Sequence, residues 1–422
     1  MDPSDHLFRR ESGRMVSVLT RILGVHNLAL AEDVVQDAFC RALEVWKFRG
    51  MPENPAAWLM TTAKNRALDV LRRERTAQTF APELTRWLES EWTLAPTVEE
   101  LFAENAIQDD LLRMMFSCCH PRLPEETQVA LMLHILCGFS VAEVAGAFVT
   151  SHAAMEKRIG RGKKVLAGSK KLFDIAEARD FGGRLPAVQR ALYLLFNEGY
   201  HGASPDSAIQ VELCQEAMRL AGLLREHPLA STPATYALSA LMCLHGARLP
   251  GRLDSSGDLQ TLGHQDRSRW DAQLITEGER LLELSASGED LTEYHVEAAI
   301  AWMHATADDV EDTDWATIVS LYDQLMAIRP SPVVALNRAI AIGQREGHER
   351  GLKELRAISN ADRLASYPFY HAALGEFELR SGRGVVAREH FQSALTLARN
   401  PTERHFLEQR IAACELATAV RQ

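Results

Sequence analysis

The chain has 422 residues, too many for one hydrophobic core, so several domains are expected. A hydrophobic share of 46% with 24% charged residues excludes a disordered or fibrous protein. The formal net charge of −11 excludes a surface that binds nucleic acid everywhere, but the charge is uneven. Of 46 Lys+Arg and 57 Asp+Glu, residues 1–172 hold 22 of each, which leaves 24 and 35 for the remainder. The acidity therefore belongs to the C-terminal part, and the N-terminal part is free to carry local basic faces. No basic-then-apolar leader opens the chain, and every apolar run is broken well before the length of about 18 residues that would cross a membrane. A cytoplasmic protein with no membrane partner is expected. The seven Cys have no metal-like CxxC spacing and fit a reducing compartment.

Nearly every segment has helical period and none alternates like a strand, so the fold should be all-α. The first block, residues 1–75, holds three or four amphipathic helices. Ala31–Trp46 pairs an apolar stripe (Val35, Phe39, Leu43, Trp46) with an acidic-polar one (Asp33, Gln36, Asp37). Asn54-Pro55 opens the next helix, a capping residue before a proline at the first helical position. Along it Leu59, Ala63, Ala67 and Leu71 form the inward stripe, and Lys64, Asn65, Arg66, Asp69, Arg72 and Arg73 lie off it. A weakly patterned linker, 76–107, contains Pro82, Pro96 and a Thr97–Glu100 capping box.

The second block, 108–172, ends in Gly138–Leu166, which reads as two short helices joined by a tight turn. Ser140 and Glu143 make a capping box, and Val141, Val144, Ala145 and Phe148 face inward. Ser151 can cap the second helix, whose inward residues are Met155, Ile159 and Leu166. His152, Glu156, Lys157, Arg158 and Arg161 point outward, and from Lys157 to Lys171 seven cations occur without one carboxylate. Polar residues at the tip and cations along the flank suit a helix in the major groove, with base edges at the tip and phosphates beside it. A solvated basic helix in an unrelated bundle is the alternative. Val149, in the turn, and Gly160 and Gly162, in the helix, depart from the usual pattern.

A break is expected at Gly182-Gly183 with Pro186. A third helical block, 185–290, is interrupted by a loop over Pro250–Gly263, and a fourth, 291–422, contains a repeat. Ala339, Ile342, Gly351, Leu355 and Ile358 are echoed 36 residues later by Gly375, Glu378, Ala387, Phe391 and Ala394. That spacing suits tetratricopeptide-like hairpins, in which small residues let two helices approach; Glu378 misses the expected aromatic. Cys118-Cys119-His120 with Cys137 match no zinc ligand set and read as core, so no metal and no cofactor is expected. The polar clusters Asn197-Glu198-Tyr200 and Asp266-Arg267-Arg269-Asp271 suit caps and ion pairs, with a ligand or partner pocket as the alternative. The acidic run Asp308–Asp314 reads as a solvated loop, or as a mimic of nucleic acid that masks a basic face. No phosphate-binding loop, dinucleotide fingerprint or nucleophile elbow occurs, so the chain is not expected to be an enzyme.

The D-x-x-Q-D-x-F core at 33–39 and the W-L-x-x-x-A-x-N-x-x-L-D-x-L-R-R run at 58–73 resemble region 2 of bacterial sigma factors of the extracytoplasmic-function type. The helix-turn-helix that follows resembles their region 4, with no region 3 between. The remainder is similar to one subgroup with a long tetratricopeptide-like helical extension, through LFNEGYHGAS (195–204), QDRSRWDAQLI (265–275) and SPVVALNRAIAIG (331–343). The resemblance implies a transcription initiation factor that binds the β′ clamp and β flap of core RNA polymerase and promoter DNA. Asp33, Gln36, Asp37 and Phe39 would dock on the clamp; a simple solvated face with Phe39 in the core is the alternative. The loop 48–54 would hold a flipped base of the −10 element, which Asn65 and Asp69 would help read while Lys64, Arg66, Arg72 and Arg73 grip phosphate. Ser151 through Arg161 would read the −35 element. Within it His152, Glu156 and Lys157 would choose bases, and Arg158, Arg161, Lys163 and Lys164 would hold the backbone. The extension would control activity, through a regulatory protein or ligand. A DNA-binding regulator that senses a ligand or protein and acts without polymerase is the other reading, against which the Ala31–Trp46 helix counts.

Overall fold

A computed structural model describes residues 3–73, 109–148, 150–168, 178–201, 209–254 and 257–419. The expected linker 76–107, the Thr97–Glu100 capping box and Val149 lie outside them. Among the described residues all regular structure is helical, apart from an isolated bridge between Leu253 and Leu259. The chain divides into two compact units: Met1–Leu195 with His227–Ala230, and Phe196–Glu226 with Ser231–Gln422.

The first unit begins with α1 (Pro3–Leu23), α2 (Leu28–Arg49) and α3 (Pro55–Arg73). Small and branched residues at helical spacing, Ala31, Val34, Val35, Ala38 and Ala42, bury one face of α2, and Leu59, Ala63 and Ala67 bury one face of α3. There follow α4 (Asp110–Cys118), α5 (Glu125–Leu131), which runs into a π-helical turn Met132–Leu136, then α6 (Val141–Ala147) and α7 (His152–Ala167). Their core is Leu112, Met114, Met115, Phe116, Leu131 and Met132, all fully buried. Gly13 of α1 lies so close to the carbonyl of Leu136 that a Cβ there would overlap it, so α1 packs backbone to backbone on the π-helical turn. Arg21 reaches Asp110 at 3.3 Å on the same side of α1.

The break expected at Gly182-Gly183 and Pro186 does not occur. A single helix, α8 (Ala178–His201), runs through all three residues. The correction has a packing cause: Phe181, Leu185, Ala187, Val188, Ala191 and Leu192 are all buried, and tertiary burial outweighs the weak local propensity of Gly and Pro. Phe181 stacks on Phe116 at 4.4 Å and on His227 at 4.7 Å, and Arg184 donates to the Phe116 carbonyl at 3.4 Å. Consequently the first unit extends to Leu195, beyond the boundary of 172 that residue patterning suggests.

In the second unit α9 (Val211–Glu226) leads to α10 (Pro233–Gly246), which is buried on nearly every face from Thr235 to Leu244 and forms the centre. It packs on α11 (Ala272–Ser285) and α12 (Glu293–Thr306), with Leu244 filling the space that Gly278 leaves. Helices α13 (Trp315–Ile328), α14 (Pro332–Glu346), α15 (His348–Arg356), α16 (Pro368–Arg380), α17 (Gly384–Thr396) and α18 (Pro401–Ala419) then pack each on the next. The two echoed sets fall on successive hairpins, α14–α15 and α16–α17. Gly343 and Gly351 make room for the ring of Phe377, and Gly375 for that of Phe391. Glu378, only 1% exposed, stands where the pattern wants an aromatic. It pairs with Arg356 of the preceding hairpin and with Arg383, so an ion pair joins units that ring packing joins elsewhere.

A chain ended at Phe173 should be less stable than one ended after Ala230, on the order of 3 kcal/mol, because it loses the Phe181 ring from the core around Phe116. Urea midpoints of the first unit in the two proteins check this; equal midpoints would show that the segment adds nothing.

Candidate nucleic-acid interface

Helix α2 turns Asp33, Gln36 and Asp37 to solvent because its buried stripe lies on the opposite face. Neither Asp33 nor Gln36 has an ion pair or side-chain hydrogen bond among the described residues. Phe39 is placed differently from a free anchor. Its ring stacks on Phe8 at 4.6 Å, Phe8 lies 5.8 Å from Trp46, and Trp46 lies 5.4 Å from Trp58. This aromatic row ties α1, α2 and α3 together, so Phe39 serves the fold of the acidic face. Leu43 also departs from its expected inward position and is 51% exposed. Residues spaced by four drift around a helix of 3.6 residues per turn, so a stripe that starts at Val35 has rotated off the core by Leu43.

Arg66 of α3 donates to Asp37 at 2.6 Å. The pair joins a residue expected to face polymerase to one expected to face DNA, and it fixes the two helices in register. Asn65 and Asp69 are exposed on α3, one turn apart. Lys64 is half-buried, and desolvation lowers its ammonium pKa. The side chains of Arg72 and Arg73 lie outside the described residues. Between the helices, Gly50 takes a left-handed conformation, and Asn54 caps α3 by accepting from the Ala57 N–H at 3.0 Å. This turn leaves Phe48 84% and Met51 48% exposed. Phe48 and Met51 thus present two large apolar side chains to solvent, a surface on which a flat unpaired base can lie.

The helix-turn-helix forms as its residues dictate. Ser140 and Glu143 complete a reciprocal capping box at the start of α6, and Ser151 caps α7 by accepting from Ala154 N–H at 3.4 Å. Met155, Ile159, Gly162 and Leu166 are buried. His152, Glu156, Lys157, Arg161 and Lys164 are exposed, which gives one continuous polar and basic face. Two cations of this set are engaged. Arg158 pairs with Glu126 at 3.0 Å and lies 5.9 Å from the Phe148 ring, and Lys163 pairs with Glu32 at 2.7 Å. The two glycines of α7 have different reasons. A Cβ at Gly162 would overlap Leu131 and Thr127, so this glycine lets α7 lie close on α5; a Cβ at Gly160 would meet open space.

Among the described residues, Lys163 with Glu32 and Arg9 with Glu143 at 2.6 Å join the α1–α3 bundle to the helix-turn-helix. Burial alone would raise the Glu143 pKa, but Arg9 and the Ser140 hydrogen bonds more than offset it and hold the carboxyl below its ordinary value. Neither Glu32 nor Arg9 stood out in the sequence, and partners more than 130 positions apart leave no local signal.

Several residues of the remaining clusters are engaged in packing, caps and hydrogen bonds. Cys118, Cys119 and Cys137 are buried, and burial pushes the Cys119 thiol up to about 12. No three potential metal ligands converge among the described residues. Asp266 caps the 3₁₀ turn Arg267–Arg269, Asp271 caps α11 and Asp314 caps α13. Arg269 donates to the Leu253 carbonyl at 2.9 Å. No helix among the described residues is long and apolar enough to cross a membrane.

Gly160→Ala should stabilise α7 by about 1 kcal/mol, the intrinsic helix preference, because the added methyl touches nothing. Gly162→Ala should destabilise the unit, because the methyl must displace Leu131. Thermal melts of the two variants check the opposite signs.

Comparison with known proteins agrees with this geometry. Residues 7–77 match the model of Sigma-70 region 2, and residues 113–166 match Sigma-70, region 4. Residues 184–286 match a family of unknown function (DUF6596). An uncharacterized protein of Rhizobium meliloti (strain 1021) is 37% identical over 401 residues, which covers 94% of this chain and 93% of that protein.

Proposed function

We propose that this chain, which belongs to the sigma-70 family as an extracytoplasmic-function type of sigma factor and acts in promoter recognition, docks on the β′ clamp of core polymerase through α2, reads a two-part promoter and helps melt it. The observation that carries the docking surface is the α2 face on which Asp33, Gln36 and Asp37 all stand exposed while the aromatic row behind them holds the helix rigid. Phe48 and Met51 take the flipped base, Asn65 and Asp69 read base edges, and Lys64, Arg66, Arg72 and Arg73 hold the melted strand. On α7, His152, Glu156 and Lys157 contact base edges of the −35 element beside the Ser151 cap. Arg161 and Lys164 hold phosphate directly, and Arg158 and Lys163 do so after leaving Glu126 and Glu32. The protein works in the cytoplasm and is not itself an enzyme; polymerase carries out the chemistry, with region 4 on the β flap. The helical extension, with its tetratricopeptide-like hairpins, controls activity.

One physical consequence separates the free from the bound form. Elements read by two modules lie more than a helical turn of about 34 Å apart on DNA. In the free chain Gly13 touches Leu136, and Lys163 is held by Glu32. Binding therefore requires these contacts to open, and polymerase, which engages both modules, supplies the differential affinity that opens them.

Purified protein with core polymerase should start transcripts at a subset of promoters in vitro. A protein that binds promoter DNA tightly alone and starts nothing with core would support the regulator reading instead. Charge reversal at Asp33, which has no ion pair among the described residues, should weaken core binding at least tenfold and leave the melting temperature unchanged. Undiminished affinity for core would move the interface elsewhere.

A further inference from the structure

The second unit holds three arginines without an ion pair among the described residues. Arg248 and Arg252 follow α10, one helical turn apart in sequence, and are only 8% and 9% exposed. Arg267 enters from the 3₁₀ turn before α11. The indole of Trp270 lies 5.4 Å from the Arg248 guanidinium and 4.9 Å from that of Arg267, and the Tyr200 ring lies 4.2 Å from that of Arg252. None of the three arginines has a carboxylate within ion-pair distance among the described residues. Arg248 donates to the Gln265 side chain at 3.5 Å, and Arg267 to the carbonyls of His304 and Ala307. The acidic residues that act electrostatically on the group, Asp308, Asp309 and Glu311, act on Arg267, the most exposed of the three.

The polar atoms left over around these arginines have one character. Arg252 Nε, Arg267 Nη2, Trp270 Nε1 and Trp302 Nε1 are buried without a hydrogen-bond partner, and all are donors only. Tyr200 Oη, His245 Nδ1 and His304 Nδ1 are buried without a partner too, and each can donate. Burial and the neighbouring arginines hold His245 and His304 down at about 3, so both imidazoles are neutral at pH 7 and the charge of the site is that of the guanidiniums. Buried donors without acceptors, and buried cations without anions, are both costly to a fold. An anion that offers several acceptor oxygens answers both costs at once.

We propose that Arg248, Arg252 and Arg267, with Tyr200 and Trp270, form a binding site for a small phosphoryl oxyanion, either inorganic phosphate or a phosphate monoester. Guanidinium forks match the edges of such a group, which offers at least three acceptor oxygens and up to two negative charges to three cations. The site lies inside the region that matches a family of unknown function, and it gives the extension a small-molecule input. It stands independently of how the first unit binds polymerase, because binding is measured on the protein alone.

The test uses the full-length protein in calorimetric titration and thermal melts, with inorganic phosphate, glycerol 3-phosphate, acetate and chloride at matched ionic strength. Saturable one-site binding is expected for phosphate or the monoester. The melting temperature should rise on the order of 5 °C at a hundredfold excess over Kd. Whichever binds more tightly distinguishes free phosphate from a phosphorylated compound. Arg252→Met and Arg248→Met should each weaken binding at least tenfold and raise the melting temperature of the ligand-free protein, since each removes an uncompensated buried charge. Arg252→Lys should keep the fold, by circular dichroism, and still lose most affinity. No saturable binding of either phosphate, stronger binding of acetate, or undiminished affinity in the Arg252→Lys protein would each overturn the proposal. So would methionine variants that melt lower than the parent, because the arginines would then be part of the scaffold.

Discussion

Helix α1 meets the π-helical turn at Leu136 through a backbone that carries no side chain at Gly13, and the first unit is organised around that contact. A close approach of two backbones has one spacing at which it works, so it sets where α1 lies on the second bundle. The flanking ion pairs, Arg9 with Glu143 and Lys163 with Glu32, then fall within reach. The aromatic row Phe8, Phe39, Trp46 and Trp58 carries the same geometry outward to α2 and α3. The acidic face of α2 and the exposed pair Phe48 and Met51 thus inherit their positions from a glycine on another helix.

The contact bears directly on the opening proposed above for a unit that contains two recognition modules. Surface ion pairs such as Lys163 with Glu32 contribute roughly 0–1 kcal/mol each, and they exchange one anionic partner for another when phosphate arrives. The Gly13 packing is a shape-dependent backbone contact with the Leu136 carbonyl and holds no cation for DNA phosphate to attract. Opening it falls, in that proposal, to a partner that grips both modules. The basic face of the free protein is partly engaged, through Arg158 with Glu126 and Lys163 with Glu32.

Periodicity in the sequence located the helices, the caps at Ser140, Ser151 and Asn54, and the inward residues of α3 and α7, because these depend on neighbours within one or two turns. It misplaced Leu43, where a stripe spaced by four leaves the core, and it broke α8 at Gly182 to Pro186, where burial of Phe181 and Leu185 overrides local propensity. It gave Glu378 no partner, since Arg356 comes from the preceding hairpin and Arg383 from the turn after its own helix. Of the candidate site residues, most are exposed where the motif puts them. Arg66, Arg158 and Lys163 are engaged with carboxylates that no spacing rule connects to them. Arg248 and Arg252 drew no attention because two cations one turn apart in a helical chain are ordinary; their burial, with no carboxylate in ion-pair reach among the described residues, sets them apart.

That contrast gives the uneven charge a sharper meaning. The acidity of the C-terminal part is a property of its surface, where carboxylates cap helices or pair with arginines along the hairpins. Its interior is the reverse, with guanidiniums facing aromatic rings and unfilled donors around them. Cation–π contacts soften the isolation of a buried guanidinium but leave its N–H groups without acceptors, so Tyr200 and Trp270 orient the arginines without completing them. An acidic exterior repels nucleic acid and free anions alike, and an anion that enters must therefore be recognised by close contacts rather than collected by long-range attraction. The sign of the field outside and the sign of the site inside together favour a selective response to one small ligand over a general response to ionic strength.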